Sequence, residues 1–201
     1  MSRFLCAVII SLISMSVSAK SVIVVLGDSI SAGYGIEVDQ GWVALLQKKL
    51  FKANSDYSIS NESISGETTA GGLARIDRIL TTHKPSVVLI ELGANDGLRG
   101  LSPVVMHNNL AEIVARARKA DAKVLLLGMK IPPNYGKRYV DLFYNVYLQL
   151  SKEQGIPLVP SILEEVALVK ELMQADGLHP NAKAQPIIAD KIEAYLFPLL
   201  K

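Results

Sequence analysis

The sequence predicts an α/β fold, a three-layer α/β/α sandwich built on a five-stranded parallel sheet. Three observations carry that expectation. Five short runs rich in Val, Ile and Leu recur along the chain, the clearest of them apolar throughout, as strands covered on both faces are. Segments with apolar residues at helical spacing lie between these runs. Strands alternating with helices in this way form parallel βαβ units with helices on both faces of one sheet.

The elements follow in order. Residues 1–19, MSRFLCAVIISLISMSVSA, have a positive start at Arg3, an apolar run over 4–13, and small residues at Val17 and Ala19. This is the pattern of a secretory signal peptide cleaved after Ala19. The run is shorter than the roughly 20 residues a spanning helix needs, so no stable membrane span remains after processing. The leader takes with it Cys6, the only cysteine, so no disulfide or multi-cysteine metal site is expected. Residues 20–201 then form one domain, exported to the periplasm or beyond.

Residues 21–26 (SVIVVL) read as the first buried strand and 42–51 (WVALLQKKLF) as a helix with Trp42, Leu45, Leu46 and Leu50 on one face. A strand at 57–61 precedes a helix at 73–82, and a third strand occupies 86–92. Pro103 opens a helix over 103–120, with Ser102 as its expected N-cap. Then come a strand at 123–127, a helix over 137–153 ending near Gly155, and a short strand at 156–159. Residues 164–173 and 182–200 read as the last helices, with Pro186 near the first turns of the second.

The charge excludes one class of partner. With 21 Lys and Arg against 19 Asp and Glu, the formal net charge is +2, too weak for the field a nucleic-acid binder carries.

Ligands of parallel sheets bind outside the carboxyl ends of the strands, so the residues that follow the strands hold the chemistry. After the first comes GDSISAG (27–33), where Ser29 is either a nucleophile at the rim of the sheet or a polar helix cap. It is not a P-loop, since no lysine follows the second glycine. Nor is it a GxSxG elbow, since Ser31 stands where the second glycine belongs. After the second strand, SISGET holds Gly66; after the third, GANDG holds Asn95. Glycine admits close backbone approach and asparagine supplies an amide donor, although each segment alone also reads as a turn. Near the end, DGLHP sets Asp176 three residues before His179, where a carboxylate can orient an imidazole. His83 and His107 read as solvent-facing. Together the four segments supply a nucleophile, a base, its orienter and donors for an oxyanion.

These blocks, in this order, resemble the SGNH (GDSL-type) hydrolase family: Ser29 in GDS, Gly66 in SGE, Asn95 in GAND and His179 in DGLHP. The segments ISGET, GLARI, ELGANDGLRG, PPNYGKRY and DGLHPNAKAQP are similar to its bacterial TesA-type branch of periplasmic lysophospholipases, thioesterases and arylesterases, over almost the whole chain beyond the leader. Ala94 departs from the glycine that close relatives often carry. The resemblance implies a flavodoxin-like fold with Ser29 as nucleophile, His179 as base then acid, and Asp176 as its partner. It implies an oxyanion hole made by the backbone N–H groups of Ser29 and Gly66 and the side-chain amide of Asn95. It implies no metal and no organic cofactor. The substrate would be a small acyl ester or thioester, lysophospholipids included, and the enzyme a monomer.

An acyl chain needs an apolar groove beside the serine. Leu98, Leu101, Ile131, Pro132, Tyr135 and Leu178 flank the motifs and are candidates for its wall or for ordinary packing. Residues 97–101, with two glycines, read as a lid. Two other readings stay open: a carbohydrate O-deacetylase on the same fold, and a non-catalytic binding module.

Overall fold

The computed structural model describes residues 21–53 and 55–200; the leader and Cys6 lie outside the described residues. Five strands form one sheet: β1 (Ser21–Gly27), β2 (Tyr57–Asn61), β3 (Val87–Glu91), β4 (Lys123–Leu127) and β5 (Leu158–Val159). Their order is β2-β1-β3-β4-β5 and every pairing is parallel. The central strands form because they bury both faces: Ile23, Val24, Val25 and Leu26 of β1 and Val88, Leu89 and Ile90 of β3 are wholly inaccessible. Edge strand β2 (YSISN) is half-buried. β5 is shorter than expected, since Pro157 and Pro160 flank it and proline offers no N–H to a ladder.

The helices are α1 (Ser29–Ala32), α2 (Trp42–Lys52), α3 (Thr69–His83), α4 (Ala94–Leu98), α5 (Pro103–Lys119), α6 (Lys137–Gln154) and α7 (Gln185–Leu196). α2 packs on α7 over one face of the sheet; α5 packs on α3 and α6 over the other. This is the expected three-layer sandwich. The short helices α1 and α4 begin where turns were expected, directly after β1 and β3. α3 starts ahead of its apolar spacing because its first turn is made without apolar side chains: Thr68 caps it by accepting the Gly71 N–H at 3.3 Å, and a Cβ on Gly72 would collide with Leu92. Ser102 does sit at the N-cap of α5 with extended backbone, but its side chain makes no capping bond. Among the described residues no helix is long and apolar enough to cross a membrane.

One expected helix is absent. Residues 164–173 form successive turns and a short 3-10 helix, Lys170–Leu172. Val166 N–H bonds to Leu163 C=O and Val169 N–H to Val166 C=O, three-residue spans that leave Val166 buried and Leu168 96% exposed. The chain then straightens at Met173 to bridge Pro180, and that pairing overrides helical spacing. The last helix starts at Gln185, whose Oε1 accepts the Trp42 N–H at 3.0 Å, locking α7 to the start of α2.

The chain leaves β1 toward β2 on one side and returns to β3 on the other. The sheet therefore reverses direction between β1 and β3, and Gly27, the last residue of β1, sits opposite Glu91, the last of β3. Crevices for ligands open at such reversals.

Candidate active site

The site is built at that reversal from loops after β1, β2, β3 and the final turn before α7. Gly27 permits the crowding: a Cβ there would meet Ser31 Cβ at 2.7 Å and Glu91 Oε2 at 2.9 Å. Asp28 then caps α1, its Oδ1 accepting the Ile30 N–H at 3.0 Å. The cap role weighed for Ser29 falls to Asp28, and Ser29 is left half-buried on the first turn.

Ser29 Oγ lies 2.9 Å from His179 Nε2, and His179 Nδ1 lies 2.7 Å from Asp176 Oδ2. Asp176 Oδ1 also accepts the backbone N–H groups of Leu178 at 2.9 Å and His179 at 3.0 Å. The His179 N–H, then the imidazole, then the Leu178 N–H hold this carboxyl down at about 2. An ionised carboxylate only accepts, so Nδ1 carries the ring hydrogen and Nε2 is left to accept from the Ser29 hydroxyl. The Tyr34 ring packs on His179 at 4.6 Å between centroids, and Gln174 Nε2 ties the two loops by donating to Tyr34 C=O at 2.7 Å and Pro180 C=O at 3.1 Å.

The backbone N–H groups of Ser29 and Gly66 make no hydrogen bond among the described residues, and both residues line the same cavity. Asn95, in the first turn of α4, donates from Nδ2 to Glu67 C=O at 2.9 Å and to Asp28 Oδ2 at 3.1 Å. Gly93 just before it has φ 120°, which favours glycine; Ala94 has an ordinary φ, so its methyl adds no strain. Asp96 fixes α4 to α3 by accepting the Thr69 hydroxyl at 2.5 Å and its N–H at 2.9 Å.

A cavity of about 370 Å³ opens beside Ser29, and Leu98, Ile131, Pro132 and Leu178 stand in its wall, joined by Met129 and Leu163, which the sequence reading missed. Leu101 and Tyr135 lie outside that wall. The Tyr135 hydroxyl donates to Leu98 C=O at 2.9 Å and the Tyr139 hydroxyl to Leu101 C=O at 2.8 Å, so both segments brace the 97–101 loop from behind. His83 and His107, expected to face solvent, are half-buried against Glu62 at 2.8 Å and Glu153 at 2.9 Å, remote from the site. Among the described residues no three His, Cys, Asp or Glu side chains converge as metal ligands.

The sequence profile of the GDSL-like Lipase/Acylhydrolase family matches residues 25–186, spanning all four blocks. The chain belongs to that family. This GDSL hydrolase is 50% identical over 183 residues to esterase TesA of Pseudomonas aeruginosa, covering 91% of each chain. It is 43% identical over 189 residues to thioesterase 1/protease 1/lysophospholipase L1 of Escherichia coli K12, covering 94% of this chain and 89% of that one. The crystal structure of the psychrotrophic esterase EstA from Pseudoalteromonas sp., inhibited by monoethylphosphonate, matches it with a TM-score of 0.86 at 43% identity, over 90% of this chain and 98% of that one. The GDSL hydrolase is an enzyme that hydrolyses ester bonds in small molecules.

Proposed function

We propose that the enzyme cleaves acyl chains from carboxylic esters and thioesters, lysophospholipids among them, through an acyl-enzyme on Ser29. The observation that carries this reading is the hydrogen-bonded line Asp176–His179–Ser29, ending beside an apolar cavity. A serine hydroxyl is a weak nucleophile until a base takes its proton. His179 Nε2 takes it as Oγ bonds to the acyl carbon, and Asp176 stabilises the imidazolium that results. The carbonyl oxygen becomes an oxyanion held by the N–H groups of Ser29 and Gly66 and by the Asn95 amide. His179 then protonates the departing alcohol or thiol. In the second half a water gives its proton to His179, attacks the acyl carbon, and releases the acid as the proton returns to Ser29 Oγ.

Specificity follows from the wall. Leu98, Ile131, Pro132 and Leu178 offer an acyl chain an apolar surface. An acetyl group would leave most of the cavity unfilled, which favours acyl chains over the deacetylase reading. With residues 1–19 acting as a leader, the enzyme works outside the cytoplasm, where an acyl-CoA is not its natural substrate.

The test is a panel of purified-enzyme rates on lysophospholipid, acyl-CoA, aryl esters of graded length and an acetylated sugar, for wild type and Ser29→Ala. Turnover of long-chain esters abolished in the variant supports the reading. Preference for the acetylated sugar, or turnover that survives in Ser29→Ala, overturns it.

A further inference from the structure

Asp28 precedes the nucleophile, yet the reaction above gives it no task. It is 1% exposed. One of its oxygens caps α1; the other, Oδ2, accepts from Asn95 Nδ2 at 3.1 Å. The same Asn95 nitrogen donates to Glu67 C=O at 2.9 Å. An amide nitrogen has two hydrogens, so both are engaged in the free enzyme. An oxyanion must draw one of them from its present acceptor. The two acceptors are unequal: Glu67 offers a neutral peptide oxygen on a half-buried loop, whereas Asp28 offers a carboxylate in the interior, and charge-assisted bonds are the stronger.

Whether Asp28 is a carboxylate depends on Glu91 behind it. Glu91 is fully buried; its Oε2 accepts the Ser31 hydroxyl at 2.6 Å and the Asp28 N–H at 3.2 Å, and its Oε1 has no partner. Among the described residues neither carboxyl meets a Lys or Arg. Two adjoining carboxyls in the interior without a cation cannot both ionise. Burial, then the negative charge of Asp28, push Glu91 well above the usual carboxyl range. Burial raises Asp28 to about 6, against the Ile30 N–H bond, the neighbouring Glu91 side chain, the field of His179 and the Asn95 amide. Both oxygens of Asp28 accept N–H bonds while Glu91 Oε1 has no partner among the described residues, which places the charge on Asp28 and the proton on Glu91. The Tyr147 hydroxyl also lies in the field of both carboxyls, and of Asp96.

We propose that Asp28 is a positioning residue of the oxyanion hole, its carboxylate anchoring one N–H of Asn95 while Glu91 behind it holds the Asp28 backbone N–H. The other N–H turns from Glu67 C=O to the oxyanion. Asp28 acts through Asn95, and the proposal rests on the esterase reading above.

The test is steady-state kinetics on p-nitrophenyl butyrate for wild type, Asp28→Asn, Asn95→Ala, the double variant and Ser29→Ala. Asn keeps an oxygen to cap Ile30 but turns a donor toward Asn95. The expected result for Asp28→Asn is a kcat lower by about tenfold to 100-fold, short of full loss of a donor, with KM changed less than about twofold. The double variant is then no slower than Asn95→Ala, because both changes act on one amide. Losses that multiply, or a wild-type kcat in Asp28→Asn, overturn the proposal. If Asp28→Asn does not fold, Asp28→Ser retains a capping hydroxyl and reads the same cycle. Glu91→Gln, which mimics the neutral acid, lowers kcat less than Asp28→Asn does; a loss as large as that of Asp28→Asn overturns the placement of the proton. Full activity in Ser29→Ala overturns the esterase reading itself, whatever Asp28 does.

Discussion

His179 Nε2 stands 2.9 Å from Ser29 Oγ although 150 residues separate them in the chain. Neither lies on a long element. Ser29 is held by the cap that starts α1, and His179 by a loop pinned through the Met173–Pro180 bridge and the Gln174 N–H to His179 C=O bond at 2.8 Å. His179→Ala removes the proposed base and leaves those backbone bonds in place. Its kcat on an aryl ester is expected to fall by about 10³-fold or more, while circular dichroism stays that of wild type. Activity within tenfold of wild type would remove His179 from the reaction.

In the proposed reaction Asn95 supplies the side-chain donor of the oxyanion hole, and its charge partner appears only as the reaction proceeds. Asn95→Ala should therefore lower kcat by about 10²–10³-fold with little change in KM, as loss of one such donor does elsewhere. A rise in KM alone would make Asn95 a binding residue instead.

Asp176 links stability to acid. Its carboxyl is depressed from 3.8 to about 2 in the folded protein. Above 3.8 both folded and unfolded chains carry the charge, so its contribution is fully present; it is lost as pH falls through about 2. Asp176→Asn should thus melt below wild type at pH 6, and the gap should close as the pH approaches 2. A gap that does not depend on pH would mean that packing, not charge, is what the variant loses.

Glu91 behaves oppositely. Burial raises its carboxyl, so the unfolded chain ionises first and the group destabilises the fold as pH rises above the ordinary carboxyl value. Glu91→Gln should melt higher than wild type at pH 8, by about 2–4 °C for each 1 kcal/mol relieved, and equal to it near pH 3. Differential scanning calorimetry at the two values decides it, and a variant that melts lower at pH 8 would contradict a buried neutral acid.

Each methylene that enters the cavity beside Leu98, Ile131 and Leu178 contributes about 0.8 kcal/mol, or about fourfold in kcat/KM. A graded aryl-ester series should climb by that step and then level off as the cavity of about 370 Å³ fills. A flat series would place the acyl chain elsewhere.

The strands β1, β3 and β4 were legible because they bury both faces, so their apolar runs have no competing explanation. The segment 164–173 was not, because its apolar residues serve turns: Val166 faces the core and Leu168 solvent, and the pairing of Met173 with Pro180 belongs to tertiary structure. That Ser29, Gly66, Asn95 and His179 share one cavity, with Asp176 on His179, was legible from their motifs, since loops after strands converge at the sheet reversal and DGLHP joins them from the turn before α7. Asp28 and Glu91 stood inside the same motifs but were passed over. An acid in a buried strand carries no periodic signal, and its partner just past β1 is known only once Gly27 is seen opposite it. The cavity wall was half legible for the same reason: Leu98 and Ile131 reach it, while Tyr135 turns its hydroxyl to Leu98 C=O from outside.

The central claim is that Ser29 becomes acylated, and the most direct measurement is intact-protein and peptide mass spectrometry after reaction with a fluorophosphonate probe. Stoichiometric modification confined to Ser29, with parallel loss of esterase activity and no labelling of Ser29→Ala, is the expected result. Modification at another residue, or a fully inactivated enzyme with Ser29 unmodified, would contradict it.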